Sequence, residues 1–359
     1  MTTAPMEDRQ WVSQSDGISR PPRRGRTLSV FGVVVSAVLT AVLIIRVDLS
    51  AAWAHIVEIE LDLLLLPALV TLVNLSTRAI RWWLIFPARF RLGFGRTFFA
   101  FATGGLANYL LPARGGDLLR CYLATRGKLA ERMGLGLSTL AVEKIFDALC
   151  LLVIVTVSGM LFVPPDWYAK MQTLVALVVT LVIAVVAMIC WNAARFGRWA
   201  ERAIRALRFS RLAERIAGFV TMFARGLQGT VSLGRLSLIG GCTGLIWICE
   251  GAAIWGLSRA LCFELSIPGG MLVATILGLS RAIPAGPGQV GSYEFFMVTA
   301  TGLLGMASDQ GLALGLVTHA WVMLFAVAFG FSGAIATSTS MTTMFGRGVT
   351  PDREHSTAD

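Results

Sequence analysis

Residues 97–147 read TFFAFATGGLANYLLPARGGDLLRCYLATRGKLAERMGLGLSTLAVEKIFD, and they set charged side chains inside an apolar context. Thr97 to Leu111 is largely apolar or small, yet as a helix rising ~1.5 Å per residue it covers only ~22 Å of a ~30 Å hydrocarbon core. It is too short to span. Pro112 stops the helix, and Arg114, Gly115, Gly116, Asp117 and Arg120 follow, which places an irregular charged turn at membrane depth. Such a turn persists only where protein or a water-filled cavity surrounds it. Leu118 to Thr125 then returns to a basic cluster, Arg126, Lys128 and Arg132, on the side where the segment began. The long apolar helix that leaves from there carries Glu143, Lys144 and Asp147. Glu143 and Asp147 fall ~16 Å and ~22 Å beyond Arg132, near the bilayer midplane.

The run LPARGGDLLR followed by VEKIFD resembles the Leu-Pro-x-Arg-x-Gly-Glu-x-x-Arg and Glu-Arg-x-x-Asp signatures of the lysylphosphatidylglycerol synthase transmembrane-region family, also called flippase-like membrane proteins. A second stretch, IPAGPGQVGSYE at Ile283 to Glu294, is similar to that family's Pro-x-x-Pro-Gly-x-x-Gly-x-x-Glu signature. The resemblance covers roughly Leu28 to Ile335. It departs at Asp117, where Glu is usual, which keeps the charge and shortens its reach. It departs again at Lys144, where Arg is usual, which removes a bidentate fork. The resemblance implies a stand-alone membrane region, without the soluble domain with which the synthases use aminoacyl-tRNA.

Composition supports the membrane class on its own terms. Apolar residues make up 55% of the 359 and charged residues 14%, and the mean hydropathy is +0.71, all outside the range of ordinary globular domains. The net charge of +10 sits mainly as Arg between apolar segments, which points to an anionic membrane face and away from nucleic acid. Six cysteines without CxxC spacing read as small buried residues. His55, His319 and His355 are too scattered for a zinc site or a Ser-His pair, and no G-x-x-x-x-G-K-[ST] loop serves ATP. Neither a metal nor a cofactor is expected, and no catalytic motif is present.

Taken in order, residues 1–27 are a polar cytoplasmic tail expected to be disordered, and 28–335 form the membrane domain. Leu28 to Ile45 and Leu61 to Phe86 span, the second ending in Arg78, Arg81, Arg89, Arg91 and Arg96, which marks the cytoplasmic side. The Glu143 helix runs outward to about Val163, Pro164 to Trp167 turn, and Leu174 to Trp191 returns. Residues 195–228 alternate Arg with apolar positions at helical spacing, a basic amphipathic segment on the inner leaflet suited to anchoring topology or to anionic lipid. Leu236 to Leu261 crosses outward with Glu250, and Ile267 to Gly270 is expected as an exposed turn. Met271 to Ile283 and Ser292 to Gly305 are again short arms around a break containing Pro284, Pro287, Gly288 and Gly291. Gly311 to Ile335 crosses inward, leaving 336–359 as a second cytoplasmic tail.

The expected fold is therefore all-α and polytopic, with about six full spans and two re-entrant hairpins entering from opposite faces. Opposed broken helices are what inverted-repeat transporters use to build a midplane site. Counting each hairpin as one oblique span gives eight spans, and that alternative would place Arg114 to Arg132 outside, against the charge bias. The chain is expected in the cytoplasmic (inner) membrane with both termini inside.

Ionised groups at mid-bilayer cost about 2.5 to 3.5 kcal/mol each even on a lenient scale and mark substrate or ion paths. The candidate substrate-binding set is Arg114, Asp117, Arg120, Glu143, Lys144, Asp147, Arg281 and Glu294. Pro112, Gly115, Gly116, Pro284, Pro287, Gly288 and Gly291 make the hairpin turns. Arg114 and Arg120 suit a phosphate, which a guanidinium grips with two parallel hydrogen bonds. Glu143 and Asp147, at i and i+4, repel each other, and Lys144 is placed to relieve that. Mutual pairing that only fixes helix packing is the competing account of these charges. The resemblance implies a flippase-like transporter of a phospholipid or lipid-linked intermediate. An accessory subunit of an integral-membrane glycosyl or aminoacyl transferase, or a lipid-binding partner of a membrane complex, are the alternatives.

Overall fold

The computed structural model describes residues 23–86, 93–111, 115–125, 131–161, scattered positions between 170 and 184, 233–281, 283 and 285–336. Most of both expected tails, most of the Leu174 to Trp191 span and the basic segment 195–228 lie outside the described residues, as do Pro112, Arg114 and Pro284. The described chain is helical: α1 (Arg23–Arg46), α2 (Leu49–Val57), a 3-10 turn (Leu61–Leu64) leading into α3 (Leu65–Ile85), α4 (Phe94–Leu110), α5 (Gly115–Thr125), α6 (Glu131–Leu161), α7 (Leu233–Ala260), α8 (Ile267–Ser280), a 3-10 turn (Pro287–Gln289), α9 (Ser292–Gly302) and α10 (Ser308–Ala336). Leu61–Ile85, Gly234–Ala260 and Ser308–Ala336 are long and apolar enough to cross a membrane, and α1 with α2 makes a fourth candidate bent by 88°. The chain is an all-α polytopic membrane protein.

The bend before α2 was not expected. Asp48 causes it locally, because its carboxylate accepts hydrogen bonds from the Ser50 and Ala51 amides at 2.9 and 3.1 Å and so starts a new helix at once. A further hydrogen bond from the Ser50 hydroxyl, with those two amides, holds the Asp48 pKa below its ordinary value. On the same face, His55 Nε2 lies 3.1 Å from Asp309 Oδ2 and its ring meets Phe263 edge-on at 5.1 Å. The α1–α2 bend, the α7–α8 turn and the start of α10 thus share one face. From that face α3 and α7 run antiparallel. The Glu60 amide donates to the Ala260 carbonyl at 2.8 Å, Asn74 Nδ2 to the Ile246 carbonyl at 2.8 Å, and Arg81 Nη1 to Thr243 Oγ1 at 3.1 Å.

Both short-armed hairpins are present. In the first, α4 and α5 touch through glycine: a Cβ on Gly104 would lie 2.7 Å from the Gly116 carbonyl, and one on Gly116 would overlap the Gly104 carbonyl. In the second, Ser266 caps α8 by accepting the Gly269 amide at 3.1 Å, and Pro268 sits in the first helical turn, where its missing N–H is harmless. This corrects the expected exposed turn at Ile267 to Gly270, since Gly269 and Gly270 are buried inside the helix. Between the arms, Gly288 and Gly291 take φ values of 70° and 81°, a region that glycine enters without strain. Gly286 and Gly291 bring this tip onto α1, where the Gly286 amide donates to Ser36 Oγ at 2.9 Å.

α10 serves as a ruler for the two hairpins. Gly311 packs on Val298, Gly315 on Met297, and His319 on Glu294 and Gly288, so α9 lies along the first half with the hairpin tip at mid-helix. Phe329 meets Phe98 at 6.2 Å, Gly330 meets Leu106, and Gly333 meets Phe99 and Thr103, so α4 takes the second half. The hairpins approach from opposite ends of α10. The largest apolar core, including Leu43, Val273, Leu277, Met297 and Leu314, fastens the second hairpin to α1 and α10.

Candidate functional site

A cavity of about 240 Å³ opens where the hairpin tips converge, with Tyr109 from the end of α4 and Gln289 and Tyr293 from the second hairpin in its wall. Its lining is of two kinds. Phe98, Phe101, Trp321, Phe325 and Phe329 supply aromatic surface from α4 and α10. Beside them, among the described residues, four cations (Arg78, Arg120, Lys144 and Arg281) and three carboxylates (Asp117, Glu143 and Glu250) supply a polar surface.

The charges form two groups. In the first, Glu250 of α7 stands between two guanidinium groups, 2.5 Å from Arg78 Nη2 and 2.8 Å from Arg281 Nη2. Asn74 orients Arg78 by accepting its Nε–H at 2.6 Å. One carboxylate therefore ties α3, α7 and the end of α8 together. In the second, Arg81 and Arg120 bracket Glu143: Arg81 Nη2 lies at 3.5 Å and Arg120 Nη2 at 3.2 Å. Arg81 also binds Asp147 at 2.5 Å, and Arg120 meets Asp117 at 3.1 Å. Asn108 of α4 and Asp117 of α5 exchange two hydrogen bonds of 3.1 Å, which closes the first hairpin beside this group.

Arg120 is held by more than charge. Its guanidinium stacks between Trp82 at 5.0 Å and Phe101 at 5.2 Å, and Trp82 is fixed by donating to Thr139 at 3.1 Å. A desolvated cation over an aromatic face gains about 2 kcal/mol or more. Arg81 and Arg120 are 1% and 3% exposed, so their positions are set by protein and not by solvent. Lys144 differs. Its Nζ is 3.6 Å from Glu143 and 4.0 Å from Asp147, and its side chain is 48% exposed. Arg120 Nε and Glu143 Oε2 are buried without a hydrogen-bond partner, so hydrogen-bonding capacity remains in residues that line the cavity.

Of the expected site residues, Asp117, Arg120, Glu143, Lys144 and Arg281 line the cavity, Asp147 stands behind it on Arg81, and Arg114 lies outside the described residues. Glu294 has another place. It accepts the Gly291 amide at 2.7 Å and meets His319 Nδ1 at 2.5 Å, outside the cavity lining. The i, i+4 repulsion of Glu143 and Asp147 is relieved chiefly by Arg81, at shorter distance than Lys144 offers. Arg78 and Arg81, read from sequence as topology markers, are central members of the charge network. Their signal was the helical spacing of Asn74, Arg78 and Arg81, which places all three on one side of α3. His319, dismissed as one of three scattered histidines, pairs with Glu294 across the tip. Cys262 is exposed, against the expectation of buried cysteines, whereas Cys121 and Cys249 are buried and Cys190 lies outside the described residues.

Fold and cavity together define a polytopic helical membrane protein with a charged internal chamber between two short helical hairpins. The chain belongs to the family described as the lysylphosphatidylglycerol synthase TM region, whose profile matches residues 29–330. It is also 23% identical over 195 residues to a UPF0104 membrane protein of Methanocaldococcus jannaschii, covering 53% of this chain and 76% of that one. No solved structure matches it.

Proposed function

We propose that the protein is a flippase-like transporter that moves a phospholipid or lipid-linked intermediate across the cytoplasmic membrane, passing its headgroup through the chamber between the hairpins. The observation that carries this reading is the mixed lining of the cavity: one more cation than carboxylate among its described residues, together with five large aromatic side chains. An anionic phosphate suits the cations and a hydrocarbon chain the aromatic surface. Lys144, weakly paired and half exposed, and Arg120, beside it in the lining, are the groups we assign to the phosphate. Opposed hairpins that meet at a central site support alternating access.

The test is translocation of fluorescent phospholipids by purified protein in proteoliposomes. The wild type is expected to expose inner-leaflet label to an external quencher without changing it covalently. Arg120→Gln, or Arg114→Gln six residues earlier in the sequence, is expected to abolish this movement. Covalent modification of the lipid would instead support a transferase, and normal movement by both variants would refute the site.

A further inference from the structure

The second hairpin carries a buried pair that the charge network above does not use. His319 and Glu294 are 6% and 5% exposed. His319 Nδ1 lies 2.5 Å from Glu294 Oε1, and Nε2 lies 2.8 Å from the Gly288 carbonyl. The other carboxylate oxygen of Glu294 accepts the Gly291 amide at 2.7 Å. A carbonyl can only accept, so Nε2 must carry a hydrogen. Nδ1 then faces a carboxylate oxygen at hydrogen-bond distance. That contact needs a second proton, on Nδ1 or on the carboxyl. A neutral imidazole beside an ionised carboxylate would set two lone pairs against each other.

We propose that His319 and Glu294 together form a proton-binding site that couples proton movement to the position of the second hairpin tip. This rests on the transport reading and supplies its missing energy source. With the proton bound, the pair is neutral overall and latches α9 and the Gly288 carbonyl to the middle of α10. When the proton leaves, the pair becomes a single negative charge, the Nδ1 lone pair opposes Oε1, and the latch opens. Tyr293 carries the change to the cavity, because its ring stacks on His319 with centroids 4.6 Å apart and also lines the chamber. The charged and titratable groups beyond Tyr293 are Tyr109 of α4, Glu250 of α7 and Arg281 at the end of α8. From α1, the hydroxyls of Ser36 and Thr40 reach this tip. Proton release therefore occurs one ring away from the Arg281–Glu250 pair.

Glu294→Gln tests this with little change in shape. The amide oxygen can still accept from Gly291, and the amide hydrogen can donate to a neutral His319 that keeps its proton on Nε2. With His55 and His355 replaced by Gln, His319 is the sole histidine, and its ¹⁵N resonances can be followed in lipid nanodiscs from mildly acid to alkaline pH. We expect one pH-dependent transition in this parent and its loss in Glu294→Gln, whose imidazole stays neutral throughout. No transition in the parent, or the same transition in Glu294→Gln, would overturn the proton site. In proteoliposomes under an imposed pH gradient, the wild type should change its translocation rate severalfold and Glu294→Gln should lose that response. Retention of the full response by Glu294→Gln would overturn the coupling. Absence of any translocation by the wild type would count against the transport reading, and the spectra would still decide the proton site.

Discussion

Single residues in the chamber separate into those tightly paired between helices and those paired only loosely. Glu250 belongs to the first kind, since Arg78 and Arg281 both depend on it at 2.5 and 2.8 Å. Glu250→Gln leaves two largely buried guanidinium groups with one neutral partner, and removing one side of such a pair costs about 3 to 5 kcal/mol. Thermal unfolding in detergent should register that loss directly. Lys144→Gln is the contrasting case, because long pairs of 3.6 and 4.0 Å on a half-exposed side chain contribute little to stability. Its melting temperature should stay within a few degrees of wild type while lipid translocation falls at least tenfold. Equal losses of stability in both variants would mean that the whole cluster is structural. Arg120, Glu143 and Asp147 were legible in the sequence because a charge within an apolar run demands an explanation. Arg78 and Arg81 were not, because an arginine near the end of a span is already explained by the positive-inside rule, and their carboxylate partners come from helices 66 and 172 residues away.

Among the elements, the hairpins were legible for a physical reason: an apolar helix shorter than the bilayer, followed by proline, glycine and charge, cannot span and cannot end in lipid. What sequence could not convey was how the arms meet. The α4–α5 contact depends on two glycines twelve residues apart, Gly104 and Gly116, whose hydrogens face the opposing backbone. Gly116→Ala would drive a methyl group into the Gly104 carbonyl, and overpacking of this kind costs about 1 to 3 kcal/mol. Gly105→Ala is the control, as a Cβ there meets nothing within 4 Å. Chemical denaturation in mixed micelles should place Gly116→Ala below wild type and Gly105→Ala level with it or slightly above, since alanine favours the helix. A wild-type denaturation curve for Gly116→Ala would remove the close hairpin contact. The bend into α2 was illegible for a similar reason. Asp48 announces a cap, but the direction of the new helix is set by His55 reaching Asp309, 254 residues away.

For the whole molecule, the arrangement of faces makes a prediction about orientation. The α1–α2 bend, the start of α3, the α7–α8 turn and the start of α10 lie together, and this face carries Asp48, Glu58, Glu60, Asp62, Glu264 and Asp309 against Arg46 and Arg259. Cytoplasmic loops concentrate Lys and Arg, so this acidic face is assigned to the outside, and the ends of α3 and α6 that point away from it to the inside. Under this assignment the second hairpin enters and leaves by the outer face. Cys262 is a native reporter, since it is exposed in the α7–α8 turn. The hydrogen bond to Glu60 raises its thiol pKa above the ordinary value. The thiolate is the reacting species, so labelling by a membrane-impermeant maleimide should increase as the medium is made mildly alkaline. In a background without the other five cysteines, Cys262 should label in intact cells. Gly234→Cys, made in the same background with Cys262 also removed, sits at the opposite end of α7 and should label only after the membrane is permeabilised. Labelling of Gly234→Cys from outside, with Cys262 protected, would invert the molecule, whereas labelling of both from outside would break the single-crossing assignment of α7.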